Sequence, residues 1–210
     1  MRIPRNVPFL LALAAAGCGG ATGPELGGDY VGRLDSPFSV EGAAVIDLAH
    51  PDLRSVSAPG RILAARGVGE GTLRILVINP PDQPGGGPIT FVVRMAAGAV
   101  PPAAAVVAVS APHDRARDFV GGYEVRFSRM EDAEVAPGYS APPGHTPTPP
   151  PIPFARMVEP FFPGGRVLNP DEAAFADRAG NGNSVHDLGD LRGYLRFYPA
   201  AIPPPSPWTP

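Results

Sequence analysis

Residues 72–78 read Thr-Leu-Arg-Ile-Leu-Val-Ile. After Thr72, Arg74 is the only polar side chain in this run. Seven residues are too few for an ordinary helix, and a Gly-Val-Gly-Glu-Gly turn at 67–71 precedes them. A short, nearly unbroken apolar run bounded by turn residues predicts a strand covered on both faces, or one at the core of a sandwich.

Working outward, the same texture recurs from Asp29 to Ser128. Predicted strands are Tyr30–Leu34, Ala43–Leu48, Arg61–Arg66, Thr72–Ile78, Thr90–Met95, Ala104–Ser110 and Tyr123–Ser128. In the last, Tyr123, Val125 and Phe127 alternate with Glu124, Arg126 and Ser128, which is the period of a strand with one buried face. Turn chemistry separates the strands at His50-Pro51-Asp52, Ala58-Pro59-Gly60 and residues 82–88. No long stretch carries a 3.6-residue period. About seven short strands in roughly 100 residues predict a β-sandwich.

The flanks differ from this centre. The chain has 210 residues, of which 30 are Pro and 26 Gly. That excess points to one modest globular domain plus spacers. The net charge is −3 with both signs interspersed, which gives no basis for nucleic-acid binding. Arg2 and Arg5 precede the apolar segment Val7–Ala16, which is too short to span a bilayer as a helix. It ends at Ala15-Ala16-Gly17-Cys18 and resembles a bacterial lipoprotein signal, with Cys18 the lipidated residue. Cys18 is also the chain's single Cys, so no internal disulfide can form, and lipidation would remove a free thiol. Residues 1–18 are thus expected to be a lipoprotein signal peptide and 19–28 a flexible tether. The resemblance implies a secreted, lipid-anchored protein at the outer membrane or cell surface. Residues 129–168 and 199–210 are expected to be a Pro-rich linker and a Pro-rich tail without fixed structure.

The chemistry of the centre is sparse. His50 and His113 sit in turn contexts, and Asp47 is expected to be a hydrogen-bonded structural carboxylate. Neither a nucleophile elbow nor a zinc-binding His pair is present, so a non-enzymatic protein is expected. The run from Gly42 to Ile78, then Gly87–Met95, then Ala105–Ser110, resembles the cohesin domain and its carbohydrate-binding relatives. The features that carry the resemblance are a strand ending near Asp47, the turn with Pro51, Leu53 and Val56, and the strand after Gly71. The resemblance covers residues 29–128. It implies a jelly-roll β-sandwich that binds a dockerin partner through one sheet face.

Between the Pro-rich spacers, residues 169–198 have the pattern helix, polar loop, helix. Asn169-Pro170-Asp171-Glu172 reads as N-cap, first-turn Pro and a Glu at the third helical position. Gly180 is expected to end that helix in a left-handed turn. Leu188, Leu191, Tyr194 and Leu195 then recur at helical spacing. The loop between them places oxygens in the order of an EF-hand-type calcium site: Asn181, Asn183, the carbonyl of Val185, Asp187 and Asp190. The first position falls on Ala179, with Asp177 two residues upstream as the substitute carboxylate. Two readings stand: a weak calcium site with affinity of about 10⁻⁴–10⁻³ M, or a polar turn without metal. Asn181, Gly182, Asn183, Asp187, Asp190, Leu191, Tyr194 and Leu195 resemble one dockerin repeat, where the family usually carries two. Together the resemblances imply a protein–protein adaptor for cohesin- or dockerin-bearing proteins, a second copy of itself included. The alternative is a carbohydrate-binding module for a polysaccharide. The sandwich has few aromatics for it, Tyr30, Phe38, Phe91, Phe119, Tyr123 and Phe127, and several of these are expected in the core, which disfavours a sugar-stacking platform.

Overall fold

The structure is a computed structural model that describes residues 28–81, 87–132, 150–204 and 206–210. The signal segment, Cys18, the tether up to residue 27 and residues 133–149 of the linker lie outside the described residues.

The chain is mainly β. Among the described residues eight strands run in the order β1 (Gly28–Asp35), β2 (Ala43–Ala49), β3 (Leu53–Ser57), β4 (Ile62–Gly69), β5 (Thr72–Ile78), β6 (Thr90–Met95), β7 (Ala103–Ser110) and β8 (Glu124–Arg129). They form two four-stranded antiparallel sheets, β3-β6-β1-β8 and β4-β5-β2-β7, stacked as a β-sandwich. The seven expected strands are present, six within a residue or two at their ends, while β4 runs three residues past the expected Arg66 to Gly69. β3 was not expected. It is five residues long, and its ladder to β6 is interrupted by a register shift between Leu53 and Ser55. Those irregularities erase the period-two signal.

Strand β5 explains why its sequence is apolar throughout. Leu73, Ile75 and Val77 face the space between the sheets and join Ile46, Leu48, Phe91 and Val93 in the main core. Leu76 and Ile78 face the other way, where Ala43, Val45 and Ile62 complete an apolar outer face. A sheet with both faces apolar needs a second layer, and the C-terminal third of the chain supplies it. Three short helices, α1 (Phe154–Val158), α2 (Pro170–Ala179) and α3 (Leu188–Phe197), place Met157, Val158, Leu188, Leu191, Tyr194 and Leu195 on that face. Each fully buried large side chain there contributes roughly 1.5–3 kcal/mol of apolar transfer free energy, an upper bound before chain entropy.

This layer corrects two sequence expectations for the described residues. Residues 150–168 are not an extended spacer. Ile152, Met157, Val158, Phe162 and Leu168 are buried against the sheet. The backbone N–H and C=O of Ile152 are held by the Tyr194 hydroxyl at 2.9 and 2.6 Å. Proline bars this segment from a sheet ladder, but it does not stop the apolar side chains between prolines from packing. The tail is not free either. Trp208 pairs with Val56 at the edge of β3, with N···O distances of 2.8 and 3.0 Å. Among the described residues no helix is long and apolar enough to cross a membrane.

Candidate functional site

The α2–α3 hairpin and its loop carry the residues singled out by the sequence. α2 begins as expected: the Asn169 side chain accepts from the Glu172 N–H, and the Glu172 carboxylate accepts from the Asn169 N–H. α1 is tied to it by Arg156, which reaches Glu172 at 2.7 Å and Glu159 at 2.9 Å. The helix ends at Gly180, but the left-handed residue is Gly182, at φ 67°. Gly180 itself has φ −96°. Its lack of a side chain serves space, because a Cβ there would lie 2.2 Å from Asp190 Oδ1.

The six candidate calcium ligands lie in the α2–α3 loop or in the helix turns beside it, and the side-chain oxygens of Asp177, Asn181, Asn183, Asp187 and Asp190 accept from N–H groups. Asp187 is the N-cap of α3, accepting from Gly189 N at 2.7 Å and Asp190 N at 3.3 Å. Its carboxylate also takes the side-chain amides of Asn181 and Asn183. Asp190 closes a capping box on the Asp187 N–H at 3.0 Å and accepts from Asn181 N at 3.1 Å. Asn181 Oδ1 accepts from Asn183 N, and Asn183 Oδ1 from Val185 N, as Asx turns. Asp177 accepts from Ser184 N at 2.9 Å, and Ser184 is left-handed at φ 65°. Val185 is exposed. Among the described residues no group of three or more His, Cys, Asp or Glu side chains converges as a metal site. In this arrangement the loop oxygens cap a helix and fold a turn.

The loop is seated on the sandwich through the β7–β8 connection. The Asn181 side chain donates to the Asp114 carbonyl at 2.9 Å. The Asp114 carboxylate pairs with Arg192 at 2.6 Å and with Arg196. Asp114 is buried and left-handed at φ 61°, an uncommon conformation for a side-chain-bearing residue. Sequence reasoning missed this hub because pairing across 78 residues leaves no local signal.

Burial sets the ionisation of the loop. Asp190 is fully buried, and desolvation, with Asp187 and Asp177 nearby, raises its pKa to about 6. Burial lowers the pKa of His186, whose Nε2 lies 3.2 Å from the Met157 carbonyl. The two act on stability in opposite directions. A raised carboxyl favours its protonated form in the fold, so the Asp190 contribution is full below pH about 4 and is lost as pH rises to about 6, on the order of 3 kcal/mol. A lowered imidazole favours its neutral form, so the His186 contribution is present above pH about 6.5 and is lost on acidification below that. The Asp190→Asn variant separates them. In chelator-containing buffer, the unmodified chain should lose stability relative to Asp190→Asn as pH rises from 4 to 6, with no further change above. Urea unfolding midpoints across that range check the slope.

Elsewhere the expected charged and aromatic residues take structural places. Asp47 forms a bidentate pair with Arg74 at 2.7 and 2.8 Å, and Arg74 reaches the Phe161 carbonyl. His50 accepts from the Asp52 N–H and His113 is exposed. Buried Glu41 gathers Ser36, Arg117 and Tyr123, and the Tyr123 hydroxyl is pushed up to about 12 by burial and by its bond to Glu41. Of the six candidate sugar-stacking aromatics, Tyr30 and Phe91 are core, and Tyr123 and Phe127 are half-buried against it. Phe38, 54% exposed, and Phe119, 72% exposed, are the two that face solvent. No family profile, curated protein or solved structure matches this chain.

Proposed function

We propose that this chain is a non-enzymatic, lipid-anchored adaptor of the cell surface. Its sandwich is the cohesin-like receptor, and its C-terminal hairpin is the dockerin-like partner, engaged with it in one chain. The supporting observation is the continuous apolar cluster that joins the outer face of β4-β5-β2-β7 to α1, α2 and α3. In keeping with a binding role, the buried carboxylates have structural partners: Glu41 with Arg117 and Tyr123, Asp114 with Arg192, and Asp190 with backbone N–H groups. Anchoring rests on the signal-like N-terminus with Cys18. Calcium enters as a weak ligand of Asp177, Asn181, Asn183, Val185, Asp187 and Asp190, because binding displaces hydrogen bonds already made.

Exchange tests this function. A protease site introduced within residues 133–149 of the full chain allows the linker to be cut after folding. A receptor–ligand pair should then swap its C-terminal piece for an added, labelled copy under native conditions, at a rate that calcium changes. A C-terminal piece that leaves only when the sandwich unfolds would make the hairpin an ordinary core layer and end the adaptor reading.

A further inference from the structure

β3 and β4 are edge strands of the two sheets, and residues of both strands line the same two hollows. An exposed edge is a template for another extended chain. Here the edge of β3 is met by Trp208. Val56, a fully buried member of the main core, exchanges both backbone hydrogen bonds with Trp208. The Trp208 ring packs against the main core. On one side of it Pro203, Pro204 and Pro207 line a cavity of about 160 Å³ with Ala58, Arg61 and Leu63. On the other side Trp208 and Pro210 line a second hollow with Leu53 and Leu73. Among the described residues the Nε of Arg61, in the wall of the first, has no hydrogen-bond partner.

These are the parts of a peptide-recognition groove: one edge-strand pairing for affinity, an aromatic anchor in a pocket for specificity, and a proline-rich flank that costs little entropy to order. We propose that the seam between β3 and β4 is a peptide-binding groove, that residues 202–210 are its ligand in cis, and that it takes the same segment from a second copy of this chain in trans. The contacts are identical in the two arrangements, so only connectivity and concentration separate them. A tail joined to the hairpin through Pro203 and Pro204 has little else to hold it, because Pro204, Ser206 and Pro207 are exposed. This site is separate from the hairpin and does not depend on how the hairpin is engaged.

The test uses the fact that Trp208 is the only Trp in the chain. The full chain carrying Trp208→Ala is free of Trp, and its groove is without its anchor. A synthetic peptide of residues 202–210 then reports on itself by Trp emission. A saturable blue shift on titration, weakened about tenfold or more by N-methylation at the Trp208 position, is expected, because that methyl removes the donor to Val56. Unchanged peptide emission up to millimolar folded chain would overturn the proposal. Should the variant fail to fold by circular dichroism, the otherwise unmodified full chain is cut after folding at a protease site introduced at Pro203-Pro204, so that its own tail can exchange, and the same peptide with fluorinated Trp is added. A bound fluorine resonance then supports the groove, and its absence at millimolar peptide overturns it.

Discussion

Replacing Arg192 with Ala is expected to cost about 3–5 kcal/mol of stability, the range for breaking a buried ion pair from one side. Arg192 is 2% exposed, in the middle of α3. Its guanidinium donates to Asp114 Oδ1 at 2.6 Å and to the Pro112 carbonyl. Its aliphatic stem lies under Gly42, where an added Cβ would come within 2.9 Å of the Arg192 Cδ. Removing the side chain leaves a buried carboxylate short of one cation, a carbonyl without its donor and a cavity beneath the helix. Arg196 shares Asp114 but is 45% exposed on its side chain, so Arg196→Ala should cost less than about 1 kcal/mol. Urea unfolding of the two single variants, with Asp114→Ala closing a double-mutant cycle on Arg192, measures both. Equal costs for Arg192 and Arg196 would mean that the buried clamp does not hold the helical layer. The contrast also bears on the proposed adaptor, because this ion pair fixes α3 to the β7–β8 connection and any exchange of the C-terminal piece must break it.

How much of this was legible beforehand differs by element. The sandwich was visible because its strands obey local rules: β8 alternates, β5 is apolar throughout, and Gly and Pro mark the turns. The apolar run of β5 fitted either a strand covered on both faces or one at a sandwich core, and the structure shows the first, with Leu76 and Ile78 under the helices. What covers that face was hidden by composition. The dense proline run before Ile152 set the reading of the whole stretch, yet between Ile152 and Leu168 only Pro153, Pro160 and Pro163 are prolines, and the packing is done by Ile152, Met157, Val158 and Phe162. The candidate site shows the same limit in another form. Asn181, Asn183, Asp187 and Asp190 do share hydrogen bonds at the start of α3. Yet the oxygen spacing of a calcium site and that of an Asx turn leading into a capping box overlap, since both set side-chain oxygens against a tight backbone turn. Which donors meet those oxygens is a three-dimensional fact. The same holds for Trp208, whose partner Val56 lies in a strand too short to announce itself.

Gly189→Ala gives the prediction with the clearest sign. In an exposed helix interior, Gly to Ala stabilises by about 1 kcal/mol, because Ala loses less backbone entropy. Gly189 is the second residue of α3, and a Cβ built on it would lie 1.9 Å from the Asp114 carbonyl oxygen. That contact is backbone to backbone, so no rotamer change relieves it. The helix must lift away from the β7–β8 connection, stretching the Asn181 bond to Asp114 and the Arg192 pair together. A net loss of about 3 kcal/mol or more is expected, at the upper end for overpacking. Gly193→Ala should act in the same direction against the neighbouring helix, where its Cβ would meet Gly180 Cα at 2.6 Å and the Ala179 carbonyl at 2.7 Å. Thermal or urea unfolding decides the matter by sign alone: a gain in stability would show that α3 does not seat closely on the loop. The way stability is lost carries further information. If Trp208 emission and the strand signal in circular dichroism survive while a hydrophobic dye binds, the helical layer has left the apolar face of Ala43, Val45, Leu76 and Ile78 with the sandwich intact. A face that can be bared without unfolding the domain is what a receptor surface requires. Loss of all signals in one step would instead make the two layers a single cooperative core, with no separable hairpin for a partner to replace.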